Sequence, residues 1–80
     1  NSPPIALIRK TLKRGVESGA FREGIDPLNL YISIAGMSYF FFSNRPTLSS
    51  IFGRDLASGR SVSGYRRHVI EFVMAGLKAD

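Results

Sequence analysis

Residues 26–44, DPLNLYISIAGMSYFFFSN, put apolar side chains on nearly every side of the helix they are expected to form, in a chain of only 80 residues. Asp26 is suited to the N-cap because its carboxylate can accept orphan backbone N–H groups, and Pro27 fits the first helical position, where no N–H partner is needed. A 3.6-residue period sets Leu28, Tyr31, Ile32, Ala35, Tyr39 and Phe42 along one side and Leu30, Ile34, Met37 and Phe41 along another. The third side carries Asn29, Ser33, Gly36 and Phe40, and its small residues allow another backbone to come close, although glycine costs about 1 kcal/mol inside a helix. Such a helix cannot lie on a surface. One side is expected to pack within the chain and another against a second subunit.

Length sharpens that expectation. A single domain of this size buries about two-thirds of the surface its unfolded chain exposes, and small cores need disulfides, a metal or oligomerisation to be stable. Cysteine is absent, which removes disulfides and thiolate metal sites and fits a reducing, cytoplasmic setting. With 44% apolar residues, oligomerisation is the device left. The apolar run from Leu28 to Phe42 is shorter than the roughly 20 residues of a membrane span and is interrupted by Asn29, Ser33 and Ser38. No charged segment followed by an apolar run marks a signal peptide, and a start at Asn1 without methionine suggests a piece of a longer protein.

Around the central helix the chain reads as all α, with no strand-period segment and no internal repeat. Ser2, Pro3 and Pro4 begin a helix expected to run from about Pro4 to Ser18, with Ile5, Ile8, Leu12, Gly15 and Val16 as its apolar stripe and Arg9, Lys10, Lys13, Arg14 and Glu17 opposite. Gly19 should end it as a left-handed cap, with Phe21 folding back as the apolar contact. After the central helix, Asn44-Arg45-Pro46 reads as a break, and Thr47 as the cap of a short turn, Leu48 to Phe52, stopped by Gly53. Arg54 to Ser61 reads as a loop, and a last helix is expected from Ser61 or Ser63 to about Lys78. Its apolar side carries Val62, Tyr65, Val69, Phe72, Val73 and Gly76.

Chemistry for catalysis is thin. The single histidine, His68, is flanked by Arg67 and Val69 with no carboxylate at i−4 or i+4, no glycine-rich phosphate loop or nucleophile motif occurs, and metal sites need several ligands. We expect no catalytic residues, no metal and no cofactor. The net charge of +5 raises the possibility of an anionic partner, but only Arg9, Lys10, Lys13 and Arg14 cluster, without accompanying aromatics. A basic module binding nucleic acid through those four is one alternative; a small adaptor that binds a partner helix is another.

The succession Glu17-Ser18-Gly19-Ala20-Phe21-Arg22-Glu23-Gly24-Ile25-Asp26-Pro27 resembles a recurring segment of the tetracycline-repressor (TetR) family of bacterial transcriptional regulators. The order downstream is similar too: a long apolar helix, an Asn44-Arg45 break, Leu48 to Phe52 with Gly53, a loop, and a basic-headed last helix ending in Gly76-Leu77. The resemblance covers essentially residues 1–80 as one C-terminal regulatory domain: three main helices plus a short helical turn, with the last two long helices of each subunit forming a four-helix bundle in a homodimer. It further implies a small-molecule effector, and operator DNA read only through an N-terminal helix-turn-helix that this chain does not contain. On that basis the dimer interface is expected at Ser33, Gly36, Met37, Phe40, Phe41, Tyr65, Val69, Phe72, Val73 and Gly76. Tyr31, Ala35 and Tyr39 are expected to form part of an effector-pocket wall, since much of that pocket would come from helices upstream.

Overall fold

The computed structural model describes residues 2–80. They form four helices, α1 (Pro3–Glu17), α2 (Pro27–Ser43), α3 (Arg45–Phe52) and α4 (Gly59–Leu77). The extended region among the described residues is limited to one isolated antiparallel bridge between Phe21 and Lys78.

Each boundary has a local cause. The Ser2 hydroxyl accepts from the Ile5 N–H and the prolines occupy the first turn of α1, where they remove no helical hydrogen bond. At its other end the Ala20 N–H donates to the Gly15 carbonyl and the Gly19 N–H to the Val16 carbonyl, with Gly19 at φ 82°, which is the paired bonding of a Schellman cap. Asp26 caps α2 through its carboxylate, which accepts from the Leu28 N–H at 2.8 Å.

Two boundaries depart from the sequence reading. The break after α2 is one residue wide rather than three: Asn44 donates through its backbone N–H and its Nδ2 to the Phe40 carbonyl, and its own carbonyl already accepts the first bond of α3. Pro46 then lies in the first turn of α3, where a missing N–H costs nothing, so Thr47 has no capping role to fill. Helix α4 begins at Gly59 rather than at Ser61 or Ser63, because the Ser58 hydroxyl accepts from the Ser61 N–H and caps the helix ahead of the glycine.

The core is narrow. Leu12 of α1, Phe41 of α2, and Val69 and Leu77 of α4 are its buried apolar residues. The stripe Ile5, Ile8, Leu12, Gly15 and Val16 turns inward as periodicity predicts, and α1 packs on α2. On α2 the side carrying Leu30, Ile34, Met37 and Phe41 is the one that faces the chain's own helices; Leu28, Tyr31, Ile32, Tyr39, Phe40 and Phe42 stay exposed. The turn between α1 and α2 is fastened to the end of α4. The Arg22 N–H donates to the Leu77 carbonyl at 2.8 Å, the Ala79 N–H to the Ala20 carbonyl at 3.0 Å, and the Arg22 Nε to the Gly76 carbonyl at 2.9 Å.

Candidate functional site

Helices α2 and α4 run antiparallel. Tyr65, near the start of α4, meets Met37 and Phe41 late in α2, while Val73 and Gly76 share a groove with Asn29, Leu30 and Ser33 of the early part of α2. The seam is aromatic. The rings of Phe41 and Tyr65 stack with centroids 4.0 Å apart and planes within 4°, and the Tyr65 hydroxyl donates to the Met37 carbonyl at 2.9 Å. Buried tyrosine needs such a partner, so this one bond makes a polar tip compatible with an apolar seam. From Tyr65 the contacts continue to His68 and on to Phe72, at centroid distances of 5.7 and 5.8 Å.

The residues expected at a dimer interface divide into two sets. Met37, Phe41, Tyr65, Val69 and Val73 lie in the α2–α4 seam of their own chain, and Phe41 and Val69 keep only 5% and 8% of their surface for anything else. The sequence places them at a dimer interface; within the chain they supply the continuous apolar stripe that each member of a helix pair needs. Ser33, Gly36, Phe40, Phe72 and Gly76 are exposed. A step of 100° per residue, applied to two antiparallel helices, sets all five on the same flank of the pair. A Cβ added at Gly36 or at Gly76 would meet no atom within 4 Å, so nothing inside the chain requires glycine at either position. Phe40 and Phe72 are 61% and 63% exposed.

Tyr31, Ala35 and Tyr39 lie on the opposite flank of α2, exposed beside Leu28, Ile32 and Phe42. Two hollows flank the pair instead. A groove of 320 Å³ runs between the Arg22–Asp26 turn, α2 and the end of α4. A larger hollow of 680 Å³ opens where the end of α2, helix α3 and the start of α4 meet, lined by Phe41, Leu48, Phe52, Leu56 and Tyr65 together with Arg54, Arg60 and His68. The polar, glycine-containing composition of Arg54 to Ser61 predicts a connecting loop and does not by itself announce this hollow. Its signal was the i,i+4 pair Leu48 and Phe52, too large and apolar for a helical turn with nothing to cover it.

Surface measures the same shortage of cover. The chain exposes 6046 Å², where a folded monomer of its mass would expose about 4,800 Å². Its radius of gyration is 15.1 Å, against about 12 Å for a compact domain of its length. Among the described residues no group of three His, Cys, Asp or Glu side chains gathers to hold a metal ion, and no helix is long and apolar enough to cross a membrane.

Comparison with known proteins agrees with this architecture. The family described as tetracyclin repressor-like, C-terminal domain, matches residues 1–73. Among curated proteins, the HTH-type transcriptional repressor NicS of Pseudomonas putida is 31% identical over 74 residues, which is 92% of this chain and 35% of that protein. The chain thus spans about a third of the length of the relative it matches.

Proposed function

Since this chain belongs to the tetracycline-repressor-like family through its C-terminal domain, we propose that it is the dimerisation and effector-domain part of a ligand-responsive transcriptional regulator, acting as a repressor. Two copies associate through the open flank of α2 and α4 and form a four-helix bundle about a two-fold axis. Operator DNA is read by a helix-turn-helix outside this chain, and a small-molecule effector changes the spacing of the two DNA-reading heads. The domain regulates and does not catalyse, and it works in the cytoplasm as part of a homodimer.

What supports this reading is the flank itself: Ser33, Gly36, Phe40, Phe72 and Gly76 are exposed together, with open space around both glycines, Gly36 in the middle of α2 and Gly76 in the last turn of α4. Glycine inside an exposed helix costs about 1 kcal/mol relative to alanine. Close approach of another backbone is the use that offsets this cost, as at small-residue helix crossings. Isologous contact about a two-fold axis would cover both phenylalanines twice over.

Gly36→Leu in the full-length protein tests the arrangement. Because a Cβ at position 36 meets no atom of its own chain within 4 Å, the variant should keep its helical circular dichroism. It should nevertheless sediment as a monomer at micromolar concentration. A dimer of unchanged affinity would sink the proposal that this flank is the interface, and would direct attention to the flank of Tyr31, Ala35 and Tyr39.

A further inference from the structure

The corner hollow has a composition that neither the packing of the chain nor the proposed bundle explains. It is lined by the stacked pair Phe41 and Tyr65 and by Leu48, Phe52 and Leu56. Arg54, Arg60 and His68 line it as well, and none of the lining residues is a carboxylate. Phe52 is 68% exposed although it belongs to this apolar wall. Arg60 and Ser61 belong to the first turn of α4, a helix of 19 residues, so the positive end of its dipole adds to the two cations.

We propose that this hollow binds a small amphipathic carboxylate, an apolar body carrying one anionic head. Its volume of 680 Å³ falls within the range of about 300–1,000 Å³ typical of small-molecule sites, and an apolar lining with a few convergent charged groups is their usual composition. Arginine presents a planar fork that pairs with a carboxylate through two parallel N–H···O bonds, and its charge does not depend on pH in the working range. The head lies against Arg54 and Arg60 at the mouth, and the apolar body covers Phe52 and reaches the Phe41–Tyr65 pair. A second copy of the chain fits this site less well, since it brings the same surplus of cations, with a net charge of +5, to a rim already cationic. All the residues of the site come from one chain, so the proposal does not depend on the bundle.

Phe52→Trp in the full-length protein supplies a reporter at an exposed position of the wall. Titration with decanoate should shift the added tryptophan emission saturably, and decanoate should bind at least about tenfold tighter than decanol, the difference expected of one charge-assisted hydrogen bond. Decyltrimethylammonium should bind more weakly than either. The Arg54→Gln, Arg60→Gln double variant, both residues being exposed, should retain its helical circular dichroism and lose the preference for decanoate over decanol. Three results would overturn the site: no saturable emission shift, equal affinity for the acid and the alcohol, or an emission that follows protein concentration alone, which would make the second copy its occupant. Gly36→Leu should bind decanoate as the parent does, so failure of the dimer interface and failure of this site are read separately.

Discussion

Two glycines on neighbouring helices give opposite answers to the same substitution. Gly15 is buried, and the ring of Phe21 occupies the space its Cβ would take. Gly15→Ala must therefore displace Phe21 and loosen the cap that closes α1, and overpacking of this kind costs about 1–3 kcal/mol. A fall in the thermal midpoint of the full-length protein checks it, against the gain that helix propensity alone would give. Gly36→Ala has no such obstacle, so the helix should gain roughly 0.5–1 kcal/mol while the dimer weakens. Concentration-dependent unfolding separates the two effects, since only the dimer term varies with concentration. Phe41→Ala should be the most damaging single change, at about 3–5 kcal/mol, because it empties the space beneath Tyr65 in a core with few other members. In the sequence the Gly15 and Phe21 contact was half legible: Phe21 was expected to fold back after Gly19, but not onto which residue. That depended on the turn's exit direction, which the Ala20, Phe21 and Gly15 backbone bonds fix.

At the scale of elements, the caps carried most of what could be read. Ser2, Gly19, Asp26 and Gly53 each act through bonds to backbone within a few residues, so their chemistry is local and visible in sequence. Asp26→Ala should cost about 0.5–2 kcal/mol and fray the first turn of α2, which hydrogen exchange at Leu28 and Leu30 would report as loss of protection. The starts of α3 and α4 were less legible because each depends on a choice between competing caps, Asn44 against Thr47 and Ser58 against Ser61 or Ser63. Which of the apolar sides of α2 turns inward could not be read at all. Two of its sides are apolar enough to be buried, and the choice was made by Tyr65, a residue of α4 whose hydroxyl and ring select Met37 and Phe41. Five of the residues expected at the interface consequently lie in the seam, and the corner hollow lies beside the connecting loop that the sequence predicts, which covers residues 53–58 in the structure.

For the molecule as a whole, the excess of exposed surface is the property that partners must answer. Phe72→Asp places a charge on the open flank at a residue 63% exposed, whose ring meets His68 but not the buried Phe41, so it should leave the helical content of the chain intact and raise the dimer dissociation constant by at least about tenfold, as loss of an aromatic anchor does. Analytical ultracentrifugation over a concentration series gives the answer. One further consequence follows from the fastening of residues 20–22 to residues 76–79. In mechanical terms α1 is a rod whose lower end is pinned to the far end of α4, next to Gly76. These three bonds join the turn after α1 directly to the end of α4, beside the flank around Gly76, without passing through α2.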